Sequence, residues 1–271
     1  MQELSTQIKL IVSDLDGTLI SSNGTLDTDM VSVKKELDLL GIKFTVATGR
    51  NKEIVREIAR ELNITIPYIC NNGGMIVQND QPILTHNIKR EELKVIMDTL
   101  VERNYGFVCT GKKVVYRFNK SEKLEFYITR INKELQVIAD ATVDDVCSDE
   151  VCKIVVCAED IQQTIDLANC INERFPDVKF IQSEGSIFTI THVLADKGAG
   201  IDFLKEKYHL KDEEVICFGD NHNDLFMFSK TKFPIAMANS ELKIQKSAFD
   251  VCGSNDKNGV SSYIKLHLIN K

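Results

Sequence analysis

The sequence lacks three features that would each have suggested a class of protein: a Cys-X-X-Cys pair, an excess of positive charge and an apolar run of 18 residues. A formal net charge of -7 argues against a nucleic-acid binder, because such proteins neutralise phosphates with lysine and arginine. Without a long apolar run we expect no membrane span, and the first residues do not resemble a secretory leader. We therefore expect a cytoplasmic protein whose partners include neither nucleic acid nor membrane.

Eight cysteines are present, but their positions argue against a disulfide framework. Four of them lie in apolar, strand-like runs: Cys70, Cys109, Cys157 and Cys217. Buried free thiols in a reducing compartment explain these positions better than zinc ligands or disulfides do.

The two ends of the chain alternate between short apolar runs and amphipathic segments. Residues 8–14 and 42–48 predict buried strands, and the apolar spacing over 28–40 predicts a helix between them. The same alternation resumes with a predicted helix at 197–208 and a predicted strand at 214–220. Strand and helix repeats of this length indicate an α/β fold, with a parallel sheet and helices on both of its faces.

The middle of the chain has a different order of predicted strands and helices. A hairpin is predicted at Asn79-Asp80. Helices are predicted over 90–103, 122–134 and 161–174, with strands near 106–118, 152–158 and 178–191. We interpret residues 83–190 as a second α/β domain that is inserted into the first. The first domain then consists of residues 1–82 and 191–271.

The first motif with chemical potential is Asp14-Leu15-Asp16-Gly17-Thr18, at the end of a predicted strand. If the chain remains extended there, strand alternation makes Asp14 and Asp16 point the same way. One carboxylate can then attack phosphorus while the other protonates the departing oxygen. Taken alone, the same residues could form an ordinary solvated turn.

Three further polar motifs follow apolar runs or begin helices. A hydroxyl and a glycine before a helix can form a binding site for an anion, because free backbone N–H groups point outward there. A lysine at a helix start opposes the helix dipole, so an anionic partner would explain it. Carboxylate and amide oxygens are ligands that suit Mg²⁺. Each motif alone also has an ordinary explanation as a helix cap or a solvated side chain. The three motifs are Thr48-Gly49-Arg50, Lys197, and Gly219-Asp220-Asn221-His222-Asn223-Asp224.

We expect the four motifs to meet at one edge of the sheet, because ligands bind beyond the carboxyl ends of parallel strands. Three carboxylates there, those of Asp14, Asp16 and Asp220, would repel one another and would repel a phosphate. A divalent cation together with Lys197 would offset that repulsion. The sequence therefore predicts a magnesium-dependent site for phosphoryl transfer.

In their order and separation, these motifs resemble those of the haloacid dehalogenase-like hydrolase superfamily, and specifically its Cof-type (subfamily IIB) phosphatases. The matching segments are DLDGT, ATGR, the lysine of DKGAG, and GDNHND. The resemblance extends over essentially the whole chain. It implies a Rossmann-like core, with an inserted α/β cap over the strand ends and an Asn72-Gly73 turn that helps to place substrate. Two places depart from the usual pattern of the family, Met237-Ala238-Asn239-Ser240 and Cys252, and both affect substrate contacts more than chemistry.

The resemblance also implies a role for each matching residue. Asp14 would be the nucleophile and a Mg²⁺ ligand, and Asp16 would be the general acid and base, with its backbone carbonyl on the metal. Asp220 would bind Mg²⁺ directly. Asp224 would act behind these ligands, through water or by orienting Lys197. The transferred phosphoryl group would be contacted by Leu15 N–H, Thr48, Gly49 N–H, Lys197 and Asn223.

The motifs and the resemblance together predict a Mg²⁺-dependent phosphatase that hydrolyses small phosphorylated metabolites through a phospho-aspartate on Asp14. The resemblance implies that sugar phosphates are favoured. Two alternatives remain open. One is a sugar phosphomutase of the same superfamily, and the other is a non-catalytic sensor of a phosphorylated ligand on this fold. No motif indicates which cap residues set specificity or which oligomeric state the protein adopts.

Overall fold

A computed structural model of the chain describes residues 8–111, 114–119, 121–131, 136–139 and 141–270. The strands, in chain order, are β1 (Leu10–Ser13), β2 (Lys43–Val46), β3 (Tyr68–Cys70), β4 (Met75–Gln78), β5 (Gln81–Thr85), β6 (Gly106–Thr110), β7 (Val114–Phe118), β8 (Gln136–Ile138), β9 (Lys153–Cys157), β10 (Val178–Glu184), β11 (Ile187–His192), β12 (Val215–Gly219), β13 (Phe233–Ala236) and β14 (Asp250–Val251). The α-helices are α1 (Met30–Leu39), α2 (Lys52–Glu61), α3 (Arg90–Glu102), α4 (Glu122–Ile131), α5 (Val143–Cys147), α6 (Ile161–Arg174), α7 (Lys197–Tyr208), α8 (Leu225–Phe228), α9 (Leu242–Ser247) and α10 (Gly259–Ile264). None of the described helices combines the length and the apolar composition that a membrane span requires.

The chain divides into two compact units. One consists of Met1–Leu84 together with Asp196–Lys271 and is called the core unit here, and the other is Thr85–Ala195, called the insert. The division of the chain into functional domains at residues 83 and 190 remains a prediction from the sequence.

The core unit is built on a five-stranded parallel sheet with the order β14-β13-β12-β1-β2. Successive residues of β1 face opposite sides of this sheet, as strand geometry requires. Ile11 packs in an apolar cluster with α1, α2 and α10, whereas Leu10 and Val12 pack in a second cluster with α7, α8 and α9. Helices therefore cover both faces, which confirms the predicted α/β class with a Rossmann-like parallel sheet.

The hairpin predicted at Asn79-Asp80 joins β4 to β5. Both residues have positive φ angles, 51° and 64°, a conformation that asparagine and aspartate adopt more readily than most residues. Strand β3 pairs with β4 in an antiparallel manner, within a three-stranded sheet of order β3-β4-β5. A single parallel bridge between Ala47 and Ile69 connects β3 to the residues that follow β2.

The insert is built on a six-stranded sheet with the order β10-β11-β9-β6-β7-β8, in which the β7–β8 pair is parallel and the other pairs are antiparallel. One face carries a large apolar cluster in which Phe107, Phe180 and Phe188 pack with residues of α3, α5 and α6. The other face carries a smaller cluster around Leu124 of α4.

Our sequence predictions missed five short elements: β8, α5, α8, α9 and β14. Each has six residues or fewer, which is too short for hydrophobic periodicity to identify. Of the helix predicted over 122–134, residues 122–131 are helical, and residues 132–134 lie outside the described part of the chain.

Candidate active site

Polar residues follow three adjacent strands of the core sheet, β12, β1 and β2. Strand β1 pairs in parallel with β2 on one side and with β12 on the other. Because parallel strands end at the same edge of a sheet, Asp14, Thr48 and Asp220 all lie at that edge. Lys197 begins α7, which belongs to the same unit.

Lys197 joins two carboxylates in the interior of the core unit. Its Nζ donates a hydrogen bond of 2.7 Å to Asp14 Oδ1 and another of 2.7 Å to Asp224 Oδ1. The three residues are nearly inaccessible to solvent, with exposures of 1% for Lys197, 5% for Asp14 and 0% for Asp224. Lys197 is therefore not a solvated surface lysine. In this structure its partners are two aspartates that lie far from it in the sequence.

The carboxylates at this site have too little positive charge nearby to balance their own negative charge. Burial raises the pKa of Asp14 well above its usual range, and the Lys197 ammonium only partly opposes that effect while Asp224 and Asp220 add to it. Burial likewise raises the pKa of Asp220 to about 6, although a hydrogen bond from Thr18 acts in the opposite direction. Burial alone would lower the pKa of Lys197, but the neighbouring Asp14 and Asp224 carboxylates outweigh it and raise that pKa. A further cation would relieve this imbalance.

The first and last motifs touch directly through Asp220. Thr18 Oγ1 donates a hydrogen bond of 2.8 Å to Asp220 Oδ1. Gly17, in the same turn, has a φ of 76°, and a Cβ at this position would lie 2.3 Å from Asp220 Oδ2. Glycine is thus required here by its backbone conformation and also by the closeness of the carboxylate.

Asp224 uses both of its carboxylate oxygens within the protein. Oδ1 accepts from Lys197, and Oδ2 accepts from the backbone N–H groups of Asp220 at 2.9 Å and of Asn221 at 3.0 Å. These bonds hold the loop after β12 against Lys197. The geometry fits a residue that orients its neighbours, which is one of the two roles predicted for it.

Asp16 has a different partner from Asp14. Arg50 Nε donates to Asp16 Oδ2 at 2.8 Å and Arg50 Nη2 donates to Asp16 Oδ1 at 2.6 Å, so the pair is bidentate. The hydrogen bond to Asp16 is also the largest cause of a raised pKa at Arg50. The chain does not stay extended after β1, because a turn begins at Leu15. The condition under which Asp14 and Asp16 would point the same way is therefore not met.

Backbone donors lie beside Asp14 and Thr48. In the described part of the chain, no acceptor is recorded for the N–H groups of Leu15 or Gly49. The Thr48 hydroxyl is buried and accepts from Arg50 N at 3.1 Å. Free N–H groups at the end of a sheet are suited to binding an anion such as a phosphoryl oxygen.

The predicted turn at Asn72 connects to the last motif. Asn223 Nδ2 donates to Asn72 Oδ1 at 3.1 Å, and Asn72 N donates to Thr48 O at 2.8 Å. The three motifs that contain Thr48, Asn72 and Asn223 are thus linked in one hydrogen-bonded network. Gly73 has a φ of 91°, and a Cβ there would lie 2.1 Å from Asp196 O, which explains glycine at this position.

Our sequence reasoning did not assign roles to two residues that the structure places at the site, Thr18 and Arg50. Both belong to motifs that we had identified, but no sequence signal paired Thr18 with Asp220 or Arg50 with Asp16. His222, in the last motif, has a half-exposed side chain, and its Nε2 lies 3.5 Å from Glu241 Oε2.

The donor set fits a divalent metal ion. Asp14, Asp220 and Asp224 each offer a carboxylate oxygen, and these oxygens lie within 4.8 Å of one another. Carboxylate oxygens are hard ligands of the kind that Mg²⁺ and similar ions prefer. The raised pKa values of Asp14 and Asp220 agree with this donor set, because a bound cation would stabilise the ionised carboxylates against burial.

The parallel-sheet fold and this acidic cluster define an enzyme class, and comparison with known proteins identifies the family. A family model described as haloacid dehalogenase-like hydrolase matches residues 11–264. The chain therefore belongs to the haloacid dehalogenase-like hydrolases.

Individual relatives cover nearly the whole chain. The 5-amino-6-(5-phospho-D-ribitylamino)uracil phosphatase YbjI of Escherichia coli is 25% identical over 276 residues, which cover 95% of this chain and 95% of YbjI. The phosphatase YwtE of Bacillus subtilis, which is named for the same activity, is 27% identical over 292 residues, covering 95% of this chain and 97% of YwtE. The crystal structure of TM0651 from Thermotoga maritima has a TM-score of 0.83 at 26% identity, covering 96% of this chain and 97% of TM0651.

These comparisons confirm the predicted resemblance to the Cof-type phosphatases, including the inserted α/β cap. They also confirm the class of enzyme: the protein is a phosphoric monoester hydrolase.

Proposed function

We propose that the protein is a Mg²⁺-dependent phosphatase of small phosphorylated metabolites, and that it works through a phospho-aspartate on Asp14. The observation that carries this proposal is the buried Lys197, which bonds to Asp14 and Asp224 next to Asp220. This cluster offers a carboxylate nucleophile, a fixed positive charge and a donor set for a metal in one place.

Asp14 would act as the nucleophile through Oδ2. Its Oδ1 accepts from Lys197, whereas no donor to Oδ2 is recorded among the described residues. Attack of Oδ2 on phosphorus forms an acyl phosphate and breaks the bond to the leaving oxygen. Water then cleaves the acyl phosphate, which releases inorganic phosphate and restores Asp14.

Asp16 would supply the proton to the leaving oxygen and later remove a proton from the attacking water. In this structure both of its oxygens accept from Arg50. Proton transfer therefore requires at least one of these two bonds to open. Arg50 then serves as the residue that holds Asp16 until substrate arrives.

Bound Mg²⁺ would supply positive charge that offsets the repulsion between Asp14 and the phosphoryl oxygens. Asp14, Asp220 and the backbone carbonyl of Asp16 would hold it. Asp224 is the poorer ligand of the acidic cluster, because donors already occupy both of its oxygens. Lys197 would remain bound to Asp224 and would direct its charge toward the transferred group.

The phosphoryl oxygens would be bound by neighbours of these carboxylates. The free N–H groups of Leu15 and Gly49 supply two donors, and the Thr48 hydroxyl and Asn223 amide supply others. Lys197 adds a charged donor. Fixed donors of this kind stabilise the charge that develops in the transition state without reorganisation.

We favour sugar and sugar-alcohol phosphates as substrates. The relatives YbjI and YwtE are named for a substrate with a phosphorylated ribityl chain. A phosphorylated polyol is common to that compound and to sugar phosphates. The insert would select among them by contacts to the leaving group, since all four chemical motifs lie in the core unit.

The test is phosphate release from a panel of phosphometabolites by the metal-stripped protein, with and without added Mg²⁺. The panel includes sugar phosphates, the ribitylaminouracil phosphate, a nucleotide and acetyl phosphate. We expect turnover only with Mg²⁺, with sugar and sugar-alcohol phosphates preferred, and we expect phosphate to form without any activating bisphosphate. Full turnover in chelator would contradict the metal assignment. Phosphoryl transfer to a sugar without release of phosphate would favour a phosphomutase, and no turnover at all would favour a sensor.

A further inference from the structure

Within the core unit, one side chain ties the loop after β13 to the turn after β1. Asn239 Nδ2 donates a hydrogen bond of 2.8 Å to Gly17 O, across 222 residues of sequence. The other end of the same amide is also used, because Asn239 Oδ1 accepts from Asn255 N at 3.0 Å. An amide with a donor partner at one end and an acceptor partner at the other has one preferred orientation. Asn239 is therefore held in place although it is exposed.

The loop that carries Asn239 is itself held by α9. Gln245 Nε2 donates to Ala238 O at 3.2 Å and to Ser240 O at 2.9 Å, which are the carbonyl groups on either side of Asn239. A side chain on an anchored loop can restrain its partner, whereas one on a loose loop would move with it. The bond to Gly17 therefore connects the turn after β1 to a fixed part of the unit.

Asn239 holds a peptide group that is also held at its opposite edge. Gly17 O and Thr18 N belong to one peptide, which is planar and rigid. The oxygen accepts from Asn239, and the nitrogen donates to Leu15 O at 3.2 Å. Bonds at opposite edges of the plane oppose its rotation. The restraint matters here because Gly17, with a φ of 76°, has access to conformations that other residues avoid.

The orientation of this peptide decides what the next side chain can reach. Thr18 is 1% exposed, and its Oγ1 donates to Asp220 Oδ1 at 2.8 Å. In the described part of the chain, no other donor to the Asp220 carboxylate is recorded. Rotation of the peptide would move Thr18 and would leave this carboxylate without its partner. Asn239 thus acts on Asp220 through Thr18.

We infer that Asn239 is a positioning residue for the metal site, because it fixes the Gly17–Thr18 peptide so that Thr18 keeps the Asp220 carboxylate oriented for a cation. This inference rests on the proposed Mg²⁺-dependent function and adds to it a residue outside the four motifs. Asn239 contacts neither the cation nor the substrate. Groups that orient metal ligands from behind typically contribute about 10–100-fold to metal affinity.

The experiment measures binding of Mn²⁺ to the metal-stripped protein in the absence of substrate. Mn²⁺ takes the same hard oxygen ligands as Mg²⁺, and its electron paramagnetic resonance signal distinguishes free from bound ion. Thr18→Val keeps the shape of the side chain and removes the hydroxyl, so we expect it to raise the Kd for Mn²⁺ about tenfold. Thr18→Ser returns a hydroxyl and should restore most of the affinity.

Asn239→Ala removes the bond to Gly17 and should raise the Kd for Mn²⁺ by about tenfold or slightly less. Because Asn239 acts through Thr18, the double variant Thr18→Val/Asn239→Ala should bind Mn²⁺ about as well as Thr18→Val alone. Two independent effects would instead multiply. The kcat of Asn239→Ala at saturating Mg²⁺ should fall by a smaller factor than the affinity does, since the groups that perform the chemistry remain.

Asn23→Ala is the matched control. Asn23 is an exposed asparagine of the same unit, and its side chain accepts from Ser21 and Thr25 within its own loop. This variant should keep the wild-type Kd for Mn²⁺. Thermal unfolding of every variant shows whether it is folded.

Two results would overturn the inference while the proposed function stands: a folded Asn239→Ala variant with the wild-type Kd for Mn²⁺, or a double variant whose loss equals the product of the two single losses. An equal loss of affinity in Asn23→Ala would also overturn it, because the effect would then not be specific to the Gly17 contact. A wild-type protein that binds no Mn²⁺ and releases no phosphate from any substrate would remove the proposed function, and this inference with it.

Discussion

The core unit and the insert use their sheets in different ways. The core sheet is parallel, and its polar residues are concentrated at one edge, where buried Asp14, Lys197 and Asp224 contact one another. The insert has a largely antiparallel sheet with an apolar cluster on each face. Among the described residues, the acidic cluster of the core unit is the one group found with the geometry of a metal site.

The difference follows from the direction of the strands. Parallel strands end together, so residues that are far apart in sequence meet at one edge, as Thr18 and Asp220 do. Antiparallel strands bring residues together across a face, as in the row of Lys179, Thr191, Lys153 and Thr110. The core unit is therefore suited to assembling reactive groups at a point, and the insert is suited to presenting a surface. We expect mutations at the edge of the core sheet to reduce the rate of the chemical step. Mutations in the insert should change stability or substrate selectivity instead.

The largest expected effect is the loss of the nucleophile in the core unit. Asp14→Asn should lower kcat at least about a thousandfold for every substrate, because an amide cannot form the acyl phosphate. The unfolding temperature should stay the same or rise, since burial already opposes ionisation of Asp14 and raises its pKa. Phosphate release and thermal unfolding measure the two effects.

A control for this variant is Asp212→Asn, at an exposed aspartate of the core unit that pairs with Lys205. It should keep wild-type activity. Activity of Asp14→Asn within about tenfold of wild type, a barrier difference near 1.4 kcal/mol, would rule out the covalent route.

The second prediction concerns the apolar cluster of the insert. Phe188 is 1% exposed and packs edge-to-face on Phe180, with 6.0 Å between ring centroids. Phe188→Ala should lower the free energy of unfolding by about 3–5 kcal/mol through loss of burial and formation of a cavity. Hydrolysis of acetyl phosphate, measured well below the unfolding transition, should stay within about threefold of wild type.

Phe44→Ala provides the matched comparison in the core unit, because Phe44 is also 1% exposed and lies in β2, next to the strand that precedes Asp14. It should reduce stability by a similar amount and reduce acetyl phosphate hydrolysis as well. Equal losses of acetyl phosphate hydrolysis in both variants would contradict the proposal that the insert takes no part in the chemical step.

The smallest expected effect is at Arg50, whose side chain holds Asp16. Arg50→Ala should lower kcat about tenfold for alkyl phosphates, whose leaving oxygen needs a proton, and less for p-nitrophenyl phosphate, whose leaving group is stable as an anion. Arg50→Lys keeps the charge without the bidentate geometry, and its kcat should lie between those of Arg50→Ala and the wild-type protein. An increase in kcat in Arg50→Ala would instead show that the pair inhibits the enzyme.

Much of the fold could be predicted from local patterns. The apolar runs at 8–14 and 42–48 correspond to β1 and β2, and the helix predicted over 161–174 is α6. These elements are long or strongly apolar, so their periodicity is clear. Elements such as β8 and β14 were missed because two or three residues carry no period and are stabilised by the neighbours with which they pair.

The sequence by itself determined which residues could carry chemistry and which strand or helix each one follows, as for Asp14 after β1 and Asp220 after β12. That information is local, because strand ends and helix starts are marked by neighbouring residues. Only the tertiary structure decided the partners of other residues: Arg50 for Asp16, and Thr18 for Asp220. Such pairs span up to 202 residues. They depend on strand register and side-chain rotamers, which are set by packing of the whole unit and leave no trace in sequence spacing.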